Sequence, residues 1–232
     1  MNARAFILLV ICSVSLLGCE KRSTSVDLVD VPAITDCPLP SIFPGVAKPI
    51  STITQSVGGY FPKGRFAGSY ASRDDFINGW YSRHLKALGE PSLLSGYQGR
   101  EAYRFLWLRS FHHPIAVRVE RNPNSIDLTL TETSGRGGYD PGTPLQHTAK
   151  QMTVSQWCEF LSLLNKSNFW SLEDVKDDMG NDGAEWILEG VRDDHYSVVD
   201  RWSPRDGTYR DACILLLQAG GIDTKALAND LY

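Results

Sequence analysis

Tyr103-Arg104-Phe105-Leu106-Trp107-Leu108-Arg109, Ile115-Ala116-Val117-Arg118-Val119 and Ile126-Asp127-Leu128-Thr129-Leu130-Thr131 are three aromatic and β-branched runs that follow one another closely. His113-Pro114 and Asn122-Pro123-Asn124 stand between them, and this is turn chemistry. The three runs read as an antiparallel meander.

Working outward, the flanking segments change period from two to 3.6. Ser72 with Asp75 three residues on resembles a capped helix start. Phe76, Ile77, Trp80, His84, Leu85 and Leu88 then recur at helical spacing, which predicts a helix over 73–88, stopped by Gly89-Glu90-Pro91. After the meander, Thr153 and Gln156 form a capping box, and Val154, Trp157, Cys158, Leu161 and Leu164 mark a buried helical stripe. Glu185 to Val191 and His195 to Asp200 alternate as strands around Asp193-Asp194, and Thr208 to Ala219 reads as a helix ended by Gly220-Gly221. The expected fold is α+β, an antiparallel sheet of about five strands with helices packed on it, in the order α-βββ-α-ββ-α. Neither an internal repeat nor a low-complexity segment interrupts this pattern.

The N-terminus is of another kind. Arg4 precedes the apolar run Phe6 to Leu17, and Gly18-Cys19 and the polar Glu20-Lys21-Arg22 close it. The run is too short for a transmembrane helix, which needs roughly 20 apolar residues. Leu16-Leu17-Gly18-Cys19 resembles the lipobox of bacterial lipoproteins. That resemblance implies a signal peptide over 1–18 and a diacylated Cys19 as the new N-terminus, anchored to a membrane outside the cytoplasm. Two or more acyl chains make such anchoring stable. Glu20 after the cysteine implies sorting to the outer membrane of a Gram-negative host, facing the periplasm. Residues 19–55 carry five of the 12 prolines and read as a tether, leaving one globular domain over 56–232.

The chain has 232 residues with 23 basic and 27 acidic side chains, a net charge of −4, and −5 once Arg4 leaves with the leader. A mildly acidic surface without a Lys/Arg block argues against nucleic acid and against adhesion to anionic lipid by charge alone. Phe169-Trp170-Ser171-Leu172, Asp182 to Gly190, and Tyr196 to Pro204 resemble a domain of uncharacterised bacterial secreted proteins and lipoproteins. The resemblance implies one domain over the last two thirds of the chain and brings no catalytic residue.

Candidate chemistry therefore rests on individual residues. A two-residue Asp193-Asp194 turn pairs Glu189 with Val198 and puts Glu189, Tyr196 and Asp200 on one face, the two carboxylates at the roughly 7–8 Å of a diagonal pair. Acid-base hydrolysis would need one of them neutral and one ionised. The competing expectation is a pair of carboxylates that are solvated or paired with arginine, such as Arg109, Arg118 or Arg201. Asp178, Asp182, Gly183 and Glu189 match part of a calcium-loop pattern, but Gly180 breaks it and Trp186-Ile187-Leu188 reads as strand. His112 and His113 read as loop residues, and no cofactor or metal is expected. Cys37, Cys158 and Cys213 allow one bridge and one thiol. Cys158 and Cys213 read as buried small hydrophobes, with a 158–213 bridge as the alternative. The connection from Ser134 to Met152 is long and glycine-rich, and Arg136, Tyr139 and Trp202 are the expected contacts for an envelope protein or cell-wall component. Trp157 and Trp186 are expected in the core. The functional expectation is a non-catalytic binding lipoprotein, with an envelope hydrolase on Glu189 and Asp200 as the alternative.

Overall fold

Strand β2, Glu101–Arg109, is buried at all nine positions, and its side chains divide between two cores. Tyr103, Phe105 and Trp107 join one with Trp157, Phe160, Leu164 and Leu216. Ala102, Leu106 and Leu108 join a second with Ile77, Tyr81, Leu85 and Leu93. A strand covered on both faces has no polar side, so its sequence is a nearly continuous apolar run rather than an alternating one.

The structure is a computed structural model and describes residues 37, 48–56, 58–68, 71–97, 100–172, 180, 182–227 and 230–232. After β1 (Lys48–Pro49) come α1 (Ala71–Ala87), α2 (Leu93–Gly96), β2, β3 (Ile115–Arg121), β4 (Ile126–Thr133) and β5 (Pro144–Gln151). They are followed by α3 (Val154–Lys166), β6 (Ala184–Arg192), β7 (His195–Trp202) and α4 (Thr208–Gly220). All seven strands form one sheet in the order β1-β7-β6-β2-β3-β4-β5, and every pairing is antiparallel. The residues of the first core place α3 and α4 on one face, and those of the second place α1 and α2 on the other.

Local chemistry explains several boundaries. The Thr153–Gln156 capping box is present, side chain and backbone each satisfying the other. Gly221 closes α4 in the left-handed conformation at φ 103°. Asp193 and Asp194 both adopt positive φ, 50° and 58°, as a tight hairpin turn whose twist matches its strands requires. That turn sets Glu189 opposite Val198, the register read from sequence.

Three expectations need correction. The sheet has seven strands, not about five, because β1 and β5 edge it. β5 lies inside the supposed long connection and carries no apolar alternation, since nearly all of it is exposed on both faces. β1 is two residues long and joins by backbone pairing alone. The helix order differs as well, with the short α2 between α1 and the sheet. Finally, α1 begins at Ala71, so Ser72 lies inside the helix rather than capping it, and Phe76 is 70% exposed.

The disulfide joins Cys37 to Cys158, residues 121 apart in sequence, and leaves Cys213 as a buried thiol. Neither a 158–213 bridge nor a Cys158 thiol is found. The signal was hidden because Cys37 falls in the stretch that reads as tether; Cys37 and residues 48–55 belong to the folded body. Closing a loop of that size can remove about 5 kcal/mol of unfolded-state freedom.

Trp157 and Trp186 are fully buried, the first against Tyr103 and Phe160, the second against Phe105 and Trp107. Alanine at either position should cost about 3–5 kcal/mol. Chemical denaturation of the two variants checks this; midpoints close to the parent's would contradict the assignment of the first core.

Candidate functional site

The face of the sheet under α1 and α2 carries a row of charge. Arg118 of β3 is opposite Arg104 of β2, and Arg104 is opposite Glu189 of β6. Alternation turns all three the same way, into an apolar layer. Arg104 and Glu189 are wholly buried, and Arg104 donates from Nε at 2.8 Å and from a second nitrogen to the same Glu189 oxygen. The Tyr196 hydroxyl donates to the other oxygen at 2.6 Å. Glu90, between α1 and α2, lies 3.6 Å from Arg104 and accepts from Arg118 at 2.8 Å. Arg118 also meets Glu120 and Tyr97. Burial pushes the Glu189 carboxyl up, and Arg104 and Tyr196 pull it back. Burial would lower Arg104, but Glu189 and Glu90 more than offset it.

Asp200 does share this face with Glu189, yet it belongs to a different cluster. It accepts a hydrogen bond from the Tyr81 hydroxyl at 2.8 Å, and the Glu185 carboxyl is its like-charged neighbour. Burial pushes Asp200 up to about 6, and burial together with Asp200 holds half-buried Glu185 well above the usual carboxylate range. The structure therefore brings Asp200 to Glu185 and Tyr81, and Glu189 to Arg104 and Tyr196. Arg104 holds Glu189 in place of the expected Arg109, Arg118 or Arg201. Asp200 faces Ile187, so Glu185 and Glu189 are both its diagonal neighbours; alternation alone signalled Glu185.

The other candidates gather at one end of the sheet. The β4–β5 loop, residues 134–143, folds back on the β2–β3 turn, Gly137 N donating to His112 O at 3.0 Å and Gly138 N to Ser110 O at 3.3 Å, and is closed within itself by Arg136 N donating to Asp140 O at 2.8 Å. The approach is so close that a Cβ on Gly137 would lie 2.6 Å from the Arg109 backbone. Trp80 of α1 fastens the loop from the side, its indole nitrogen 3.0 Å from Gly137 O and 3.1 Å from Nε2 of buried His84. Burial, then Arg83, lower His84 to about 4 and keep it a neutral acceptor. On this pinned backbone Tyr139 is 60% exposed, beside Phe111 at 48%, their ring centroids 6.2 Å apart. Arg136 is exposed next to them.

Trp202 differs from its expected role. It is half-buried, and its indole lies so close to Gly183 that a Cβ there would meet it at 2.6 Å. His113 contacts Glu132 at 2.9 Å, and His112 contacts the Tyr232 hydroxyl at 3.1 Å. Cys19 and Asp178 lie outside the described residues; the other end of the calcium pattern, Glu189, sits in β6. No protein-family model, curated protein or solved structure matches the chain.

Two outcomes follow from the charge row and the acid pair. Arg104→Ala strands a buried carboxylate and should cost about 3–5 kcal/mol, whereas Arg104→Met with Glu189→Leu should regain most of that loss; equal losses in the two variants would refute the pairing argument. Asp200 binds its proton more tightly folded than unfolded. Its contribution to stability is fully present below its ordinary 3.8 and is lost as pH rises through about 6. In urea unfolding the parent should therefore lose stability relative to Asp200→Asn as pH rises across that window. A difference independent of pH would mean that Asp200 is ordinary.

Proposed function

We propose that the chain is a lipoprotein of the bacterial envelope, anchored to a membrane through Cys19, that works as a non-catalytic binding module. The observation that carries this reading is the loop end, where Tyr139 and Phe111 stand exposed on a backbone held by hydrogen bonds on both sides. Rigid aromatic side chains give large contact area at small entropic cost, which suits recognition. Arg136 adds a charged donor beside them, and the partner is an envelope protein or a cell-wall component. Trp202 is a lesser contact because much of its indole is covered. The Cys37–Cys158 bridge supports a compartment that is oxidising, as the space outside the cytoplasm is. In a Gram-negative host that compartment is the periplasm, with the anchor in the outer membrane. The acidic balance of the chain supports no nucleic-acid role.

The alternative, an envelope hydrolase, has one observation in its favour. Hydrolysis by a carboxyl pair needs one member neutral near physiological pH, and burial of Asp200 and Glu185 as neighbours pushes both toward the neutral form. Glu189 does not join in, because its oxygens are taken by Arg104 and Tyr196.

In cells, Cys19→Ala should abolish fatty-acid labelling of the chain and leave an unprocessed precursor. A photo-crosslinking residue at Tyr139 should capture an envelope component, and the same residue at exposed Lys225 should not. Capture from both positions, or from neither, would sink the loop-end reading.

A further inference from the structure

Helix α1 carries Gly79 near its middle, where glycine costs about 1 kcal/mol relative to alanine. Packing does not explain it. A Cβ at this position meets nothing within 4 Å, so no neighbour requires the small residue. Beyond Gly79 lies a cavity of about 570 Å³, a volume typical of small-ligand sites.

The cavity is built between α1 and the preceding segment, residues 54–56 and 58–66. Asp74, Asn78 and Ser82, at helical spacing, hold that segment by its backbone and hydroxyls. Asp74 accepts from Gly64 N at 2.7 Å and Phe66 N at 2.8 Å; Asn78 donates to Ser56 Oγ at 2.9 Å and Pro62 O at 3.2 Å; Ser82 accepts from Tyr60 N at 2.9 Å. Phe61 and Phe66 lock it further by edge contacts with Tyr81. The wall is therefore fixed in shape, and its chemistry is polar: Thr54, Gln55, Ser56, Asn78 and Ser82 supply hydroxyls and amides.

Around this wall stand three cations, Lys63, Arg83 and Lys86, against one carboxylate, Asp75. Among the described residues none of the three cations forms an ion pair. An acidic protein thus concentrates uncompensated positive charge at its hydroxyl-lined cavity.

The geometry points to a binding site for a phosphorylated sugar: the Thr54 and Ser56 hydroxyls and the Gln55 side-chain carbonyl for the ring hydroxyls, Lys63, Arg83 and Lys86 for the phosphate. Lysine and arginine both bind phosphate, the latter through two parallel donors. The open face of Gly79 leaves room for the ring. The sugar phosphate is either free or the headgroup of a membrane lipid. The site lies on a different stripe of α1 from Trp80 and the aromatic loop, so it stands or falls separately from the loop-end reading.

Calorimetric titration of the full chain in uncharged detergent, with glucose 6-phosphate and with glucose, tests the assignment. Glucose 6-phosphate should bind at least about tenfold tighter than glucose, the scale of a hydrogen bond to a charged group. Arg83→Glu with Lys86→Glu should remove that preference. Gly79→Leu should weaken glucose 6-phosphate binding about tenfold while raising the melting temperature, because it fills the cavity and improves the helix. Flotation with phosphatidylcholine vesicles with and without phosphatidylinositol separates the sources. Binding to phosphatidylinositol vesicles that Gly79→Leu abolishes supports a lipid headgroup, and calorimetric binding alone supports a free ligand. No binding in either assay, equal affinity for glucose, or binding that Gly79→Leu leaves unchanged would overturn the proposal.

Discussion

The buried Arg104–Glu189 pair is the constraint that the sheet obeys. Each group alone would be very costly in an apolar layer, so each must meet the other and have its remaining valences filled. Glu189 is filled by Tyr196 from β7, and Arg104 by Pro91 O at 2.5 Å and by Glu90 from the connection between α1 and α2. One pair thereby ties β2, β6 and β7 to the helical layer above them. Such a pair is not a strong source of stability compared with apolar residues of the same size. Its effect is on register. A slip of β6 by one residue would turn Glu189 into the opposite core, among aromatic residues such as Tyr103, Phe105 and Phe160, away from the guanidinium that neutralises it.

This also explains which parts of the fold were legible. The β6–β7 hairpin could be read because its turn is local: Asp193 and Asp194 tolerate positive φ, and the pairing follows by counting. The α3 cap is likewise local. Arg104 and Glu189 are 85 residues apart and meet only once β2 and β6 are known to be neighbours, which no local pattern states. β5 was illegible for a different reason. Periodicity records a buried face, and a strand at the sheet edge with neither face covered has none to record. The disulfide was missed because proline-rich composition describes how a chain behaves when free, and Cys37 is not free.

The three segments around Trp170, Trp186 and Trp202, which read as family-like in the sequence, hold the structure together in this chain. Gly183 makes room for Trp202; Ser203 Oγ accepts from Ala184 N at 2.9 Å; Tyr196 completes the shell of Glu189; Trp170 is fully buried. These positions close the β6–β7 hairpin and seat it in the sheet. The exposed Tyr139, Phe111 and Arg136 lie outside these segments.

Helix α1 shows why its own reading went partly astray. Ile77, Tyr81, Leu85 and Leu88 face the core, whereas Asp74, Asn78 and Ser82 on the adjoining stripe hold the preceding segment. Phe76, Trp80 and His84 form a third stripe, of which Phe76 is exposed, Trp80 grips the β4–β5 loop and His84 is buried beneath it. Asp75, Gly79, Arg83 and Lys86 form the fourth and line the cavity. A simple amphipathic helix has two sides, and apolar residues on it mean core. Here four contacts surround one helix, so apolar character no longer identifies the buried face, and a polar stripe is as deeply enclosed as the aliphatic one. The same arrangement lets a single helix connect the sheet, the aromatic loop and the polar cavity, so that anything bound at the cavity is one helix away from the loop end.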